Sequence, residues 1–251
     1  MRFKGEIITR LKEIFFRLLF PPKCSFCDEI LIFDAKKPWI CKKCKPHIKP
    51  QEISICENCG KPQDIAGGAP FCPYCSDQKF KFKFLIAPFK YTPYIREGIH
   101  HLKFNKRPTV AETFAVYIYE RLLSYELTDK IKLLVPAPIS KKRFHERGYN
   151  QSELICKKLS ELSGIPYRNS LIKIKNTLPQ SSLDHNERKN NIKDAIAPGL
   201  PIPEDDVLFV DDVYTTGSTC AECCKVLKQM NVKRIYVAVS AINKPKEENE
   251  E

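Results

Sequence analysis

Thirteen consecutive residues leave this chain few folds to choose from: Val207-Leu208-Phe209-Val210-Asp211-Asp212-Val213-Tyr214-Thr215-Thr216-Gly217-Ser218-Thr219. Four apolar residues run without alternation into two adjacent carboxylates, then into a short loop of small hydroxyl residues around Gly217, then into a helical pattern from Cys220 to Met230. That order reads as strand, turn and helix start. An unbroken apolar strand suits the centre of a parallel sheet covered on both faces, and such sheets bind ligands beyond the carboxyl ends of their strands. Asp211 and Asp212 fall at that end. Backbone N–H groups and hydroxyls of the loop, with the positive end of the next helix, make a cradle for one phosphate. The carboxylates would repel that phosphate, so they suit sugar hydroxyls or a Mg²⁺ ion. A phosphorylated sugar satisfies both halves. A plain capped helix after a strand requires neither carboxylate. The Walker-type G-x-x-x-x-G-K-[ST] loop is missing, which argues against a nucleotide triphosphatase.

The first third of the chain obeys different chemistry. Of twelve cysteines, eight form four C-x-x-C pairs: Cys24/Cys27, Cys41/Cys44, Cys56/Cys59 and Cys72/Cys75. In a chain of 251 residues paired knuckles point to metal and a reducing compartment rather than to disulfides. A tetrahedral zinc takes two knuckles, so eight thiolates make two sites. Consecutive and interleaved pairings both satisfy the count. Full thiolate coordination leaves no open position, which makes these structural zincs. Proline, glycine and lysine fill the spacers, so metal has to contribute to folding there. Lys42, Lys43 and Lys45 near Trp39 and Phe71 could grip single-stranded nucleic acid. Solvated lysines over a minimal two-aromatic core explain them equally well. Cys220 and Cys223 repeat the C-x-x-C spacing on a helix, where with Cys156 and Cys224 they read as small apolar packing.

A net charge of +12 favours polyanions or phosphorylated partners, all the more because the last residues, Glu247-Glu248-Asn249-Glu250-Glu251, are acidic. No run of eighteen apolar residues exists to span a membrane. Residues 1–20 read as an amphipathic helix with Lys12, Glu13 and Arg17 inside its apolar set, which argues against a signal peptide. Docking onto the protein is its expected fate, with a membrane surface as the alternative.

Composition shifts from cysteine and proline to aliphatic periodicity near residue 78. The expected organisation is therefore an N-terminal helix (1–20), a cysteine-rich metal unit (21–78), an α/β domain (79–243) and an acidic tail (244–251). In the α/β domain, strands are expected over 79–87, 132–136, 206–211 and 234–241, and helices over 94–104, 109–125 and 151–163. Residues 141–151 form a cationic loop with a glycine behind the 132–136 strand. Arg143 and Arg147 could grip a pyrophosphate leaving group there in two-point fashion, while His145 receives no role. The polar stretch 176–191 suits either a lid over substrate or a plain surface connection.

Taken together, the chain resembles the ComF family of phosphoribosyltransferase-like proteins linked to bacterial competence. The motifs that carry the resemblance run in order. They are the cysteine pairs, Gly98 with Leu102-Lys103-Phe104, Val135-Pro136-Ala137-Pro138 with Arg143 and Arg147-Gly148-Tyr149-Asn150-Gln151, Thr177 with Gln180, Arg188 and Asn191, and the Asp211–Thr219 loop. The resemblance implies a double zinc ribbon ahead of a type I phosphoribosyltransferase-like fold, with a parallel sheet of about five strands flanked by helices. It implies that 5-phosphoribosyl 1-pyrophosphate (PRPP) is held by Asp211, Asp212, Val213, Tyr214, Thr215, Thr216, Gly217, Ser218 and Thr219, with Asp211 and Asp212 on the ribose hydroxyls, and with Mg²⁺. It implies transfer from C1 with loss of pyrophosphate, aided by Arg143 and Arg147, to an acceptor that the sequence does not identify. It implies handling of single-stranded DNA in the cytoplasm, alongside competence machinery proteins. A non-catalytic nucleic-acid binder or adaptor that keeps a PRPP site is the alternative.

Overall fold

The computed structural model describes residues 21–31, 38–51, 82–175, 191–203 and 206–243. The expected N-terminal helix, the pairs Cys56/Cys59 and Cys72/Cys75, the 176–190 part of the polar stretch and the acidic tail lie outside the described residues.

Two nine-residue strands form the centre, β6 (Asp206–Tyr214) and β7 (Arg234–Ile242). On β6 lies β3 (Leu133–Pro136), and on the far side of β7 lie β1 (Phe84–Ile86) and β2 (Phe89–Lys90). Every pairing in this five-stranded sheet is parallel. Alternate residues of the apolar runs therefore go to opposite faces, and both faces are covered. Leu208, Val210, Tyr236 and Ala238 join a core with α1 (Pro93–Phe104), α2 (Val110–Ser124) and α4 (Gln151–Ser163). Val207, Phe209, Ile235 and Val237 join a second core with α5 (Ser218–Gln229) and a small antiparallel hairpin, β4 (Leu171–Lys173) with β5 (Ile196–Pro198). Cys156 lies in the first core and Cys220, Cys223 and Cys224 in the second, all buried, as the packing interpretation expects.

Both margins of the sheet are modified. Beyond β3 the chain returns at Tyr167, where Leu134 N–H donates to the Pro166 carbonyl (2.9 Å) and Arg168 N–H to the Leu134 carbonyl (3.0 Å). At the other margin Ala87 and Pro88 interrupt the line from β1 to β2. Their carbonyls accept from the Gln51 side chain (3.0 Å) and backbone (2.8 Å).

Four expectations shift. Of the strand expected over 79–87, the described residues form a strand only at Phe84–Ile86. The 206–211 strand continues through both aspartates to Tyr214, because Val213 and Tyr214 stay in register with Ala241 and Ile242. Helix α5 starts at Ser218, so the turn shrinks to three residues. The cationic loop at 141–151 is in its first part a helix, α3 (Lys141–Arg147), with Ser140 at its N-cap and Gly148 left-handed at its C-cap (φ 84°). Helix α3 buries none of its residues, so no apolar period announces it.

The first two cysteine pairs are not a loose appendage. Cys24, Phe26, Cys41, Cys44 and Ile48 belong to the same core as α1 and α2. The Phe26 ring meets Phe114 edge to face (6.1 Å between centroids), and a Cβ on Gly98 would stand 2.8 Å from that ring. Ser25 Oγ pairs with Thr113 Oγ1 (2.8 Å). The indole of Trp39 donates to Glu112 (2.8 Å), which ties the knuckle to α2. No helix among the described residues is long and apolar enough to cross a membrane.

Candidate functional site

The carboxyl ends of β6 and β3 meet the first turn of α4. Asn150 sets that meeting. Its side-chain oxygen accepts from Ser152 N–H (3.1 Å) as the N-cap of α4, while its amide donates to the Ala137 carbonyl (2.9 Å) just past β3. The next two residues then face the aspartates. Gln151 Nε2 donates to Asp212 Oδ2 (3.0 Å), and Ser152 Oγ donates to Asp211 Oδ1 (3.2 Å). Asp212 N–H also donates to Asp211 Oδ1 (2.8 Å). The positive end of α4 thus favours the charge of both carboxylates.

From the opposite side Lys103, in the last turn of α1, reaches Asp212 Oδ1 at 2.9 Å. Asp212 is therefore clamped between an ammonium and an amide, with 8% of its side chain exposed. Burial, followed by the neighbouring Asp212 charge, holds Asp211 well above the usual carboxylate range. Because Gln151 must offer its amide nitrogen to a carboxylate, which only accepts, its Oε1 is fixed as the other atom. That buried Oε1 finds no hydrogen-bond donor among the described residues.

Cations gather around the pair. Burial lowers the Arg147 guanidinium, with the charge of Asp212 opposing the shift and that of Arg143 adding to it. Arg147 also lies over the Phe104 ring, 5.3 Å from its centroid. Burial, then the charge of Arg143, brings Lys173 down to about 8, while Cys223 and Asp211 pull the other way. Lys173 on the β4–β5 hairpin thus feels the charges of Arg143, Asp211 and Arg147, and the sequence pattern did not single it out.

Beyond Tyr214 the backbone turns sharply. Gly217 takes φ 75°, and a Cβ there would collide with the phenol of Tyr214, which folds back over the turn. Glycine is required on both counts. Thr216 Oγ1 pairs with Ser218 Oγ (2.8 Å) and accepts from Ser218 N–H (3.4 Å). Asp211, Val213, Tyr214, Thr215, Gly217 and Thr219 line a small concavity at the start of α5. Of the nine loop residues expected from sequence, Asp212 and Thr216 do not line this concavity, and the charges of Asp212 and Arg143 both act on Arg147. Sequence reasoning missed Gln151 and Ser152 as partners of the carboxylates, and it missed Lys173. Lys103 it named without a role. A capping asparagine directly before Gln151 was the one available signal.

A second cluster packs beside the same helix, α1. The sulfur atoms of Cys24, Cys27, Cys41 and Cys44 lie within 4.8 Å of one another. Cys41 N–H points to Cys24 Sγ and Cys44 N–H to Cys41 Sγ, each at 3.4 Å. Burial pushes the Cys41 thiol up to about 11 and Cys44 up as well, so these sulfurs need a cation to ionise. Four converging thiols with N–H···S support fit a structural zinc. The geometry joins the first pair with the second, the consecutive arrangement, for these four cysteines.

Residues 15–78 match the family described as double zinc ribbon domain. Over 225 residues the chain is 30% identical to DNA utilization protein YhgH of Salmonella typhimurium, covering 88% of this chain and 96% of that protein. It is 30% identical over 222 residues to competence protein F of Haemophilus influenzae (86% and 94% covered) and 27% identical over 195 residues to competence protein ComFC of Bacillus subtilis (72% and 74%). A solved structure, the purine phosphoribosyltransferase of Pyrococcus horikoshii, aligns with 53% of this chain and 72% of its own at 21% identity and a TM-score of 0.33. The similarity to the YhgH and competence F proteins spans most of each chain, and the chain belongs to the ComF family.

Proposed function

We propose that the chain binds PRPP at the carboxyl end of β6 and transfers its phosphoribosyl group, within the cytoplasmic handling of incoming single-stranded DNA. The observation that carries this reading is the adjacency of Asp211 and Asp212 to the Gly217 turn and the start of α5, a sugar half and a phosphate half three residues apart. In this reading Thr215, Thr216, Gly217, Ser218 and Thr219 receive the 5′-phosphate through N–H and hydroxyl donors. Val213 and Tyr214 shape the wall. Asp211 and Asp212 accept from the ribose hydroxyls, and the unpartnered Gln151 Oε1 offers one further acceptor.

Arg143, Arg147 and Lys173 neutralise the departing pyrophosphate. As C1 gains oxocarbenium character, cations fixed beforehand lower the barrier without reorganising. Two carboxylates already engaged by Lys103, Gln151 and Ser152 make no cage for a bare cation. Magnesium arriving with the ligand would supply further charge neutralisation. Zinc at Cys24, Cys27, Cys41 and Cys44, with a second zinc proposed at Cys56, Cys59, Cys72 and Cys75, holds the amino-terminal unit.

Calorimetric titration of the zinc-loaded protein with PRPP and Mg²⁺ tests the site. Binding is expected in the native chain and its loss in Asp211→Asn. A native chain that takes up no heat with PRPP would remove the reading. A second reading, a nucleic-acid binder or adaptor with a vestigial sugar site, is favoured by the exposure of Lys42, Lys43 and Lys45 on the knuckle and by the relatives' names. It predicts single-strand binding that weakens steeply with salt and with replacement of those lysines.

A further inference from the structure

We propose that Lys103 is a positioning residue for Asp212 and that the first cysteine knuckle fixes where Lys103 stands. The inference rests on the PRPP reading above and adds to it a residue and a dependence on metal.

A buried carboxylate beside a second carboxylate holds its charge only against a cation in contact. Lys103 is that cation. A lysine side chain, however, has four rotatable carbons and specifies a position poorly unless its backbone is held. The last turn of α1 is held residue by residue. His101 Nδ1 lies 3.5 Å from Asp28 Oδ1, and the His101 carbonyl accepts from Asn105 N–H (3.2 Å) and Arg107 N–H (3.3 Å). The Leu102 carbonyl accepts from Tyr149 OH (2.8 Å), just ahead of the capping Asn150. Lys103 itself goes to Asp212.

The anchor for that turn is the knuckle. Asp28 follows Cys27 in the left-handed region (φ 64°) and pairs with Arg107, whose guanidinium also donates to the Cys24 carbonyl (3.4 Å). One turn earlier, Gly98 admits the Phe26 ring against the helix. Three consecutive residues of α1 thus connect the metal unit, the entry to α4 and the second carboxylate. Whatever orders the four thiols orders Lys103. By linkage, a site that needs the ordered knuckle must in turn raise the knuckle's affinity for metal.

The test uses the full zinc-loaded chain and two variants that leave every cysteine in place. Lys103→Met is expected to weaken PRPP binding roughly tenfold or more, with Lys103→Arg restoring most of it. Asp211 of Lys103→Met should also take up a proton at higher pH than in the native chain, read by NMR without PRPP. Asp28→Asn should keep its zinc by metal analysis yet weaken PRPP binding several-fold. Native protein saturated with PRPP should hold zinc against a competing chelator more tightly, by the factor by which zinc tightens PRPP. Unchanged PRPP affinity in both variants overturns the proposal, as does zinc retention indifferent to PRPP. Failure of the native chain to bind PRPP, with the proton uptake shifted as expected, would strike the PRPP reading and leave the Lys103–Asp212 pairing standing.

Discussion

The turn after β6 and the first cysteine knuckle specify their places by opposite means. Every group of the turn lies within a few residues of Asp211, and its geometry follows from a strand, a glycine and a helix start. The knuckle brings its thiols together locally but finds its seat through partners far along the chain, such as Thr113 for Ser25 and Glu112 for Trp39. The first kind of site can be recognised in any sequence that contains it. The second exists only after the fold has formed, and it decides where the first kind finds its cations.

The largest effect that could break this contrast is at Phe26. If the knuckle is part of the main core, Phe26→Ala should cost about 3–5 kcal/mol to the whole chain. Far-ultraviolet circular dichroism and the fluorescence of Trp39, the single tryptophan, should then report one coincident transition. Two separated transitions would make the knuckle an independent unit. Trp39→Phe removes a hydrogen bond to a carboxylate and should cost about 1.5–3 kcal/mol by denaturant titration. A value near zero would mean the contact is cosmetic.

The turn should respond differently. Gly217→Ala forces a side chain into left-handed backbone and against Tyr214, at about 1–2 kcal/mol from the backbone alone. PRPP affinity should fall while bound zinc, measured by metal analysis, stays constant. The smallest effect is a pH dependence. Lys173 is lowered to about 8, so it is charged below that pH and neutral above it. PRPP affinity should therefore decline between about pH 7 and 9, and Lys173→Arg should flatten the decline. A profile unchanged in that variant would take Lys173 out of the site.

What could be read in advance follows the same division. The β6 strand, the Gly217 turn, α5 and β7 were legible because apolar runs, a glycine and helical spacing all act over short range. The helices over 94–104, 109–125 and 151–163 were legible for the same reason. Helix α3 was not, since it buries nothing and its only marks are Ser140 and Gly148 at its caps. The clamp on Asp212 was not legible either. Lys103 and Gln151 come from two different helices, and no spacing rule connects either of them to β6. The hairpin β4–β5 has strands of three residues, too short for an alternating pattern to stand out.

The margins of the sheet bear on how the protein keeps company with itself. One edge is broken at Ala87 and Pro88 into stretches of three and two residues, with carbonyls of the break already taken by Gln51. The other is met by the chain returning at 166–168. An edge that is short, interrupted or already occupied gives an incoming strand no ladder to extend. Among the described residues, self-association through the margins of this sheet is thereby discouraged.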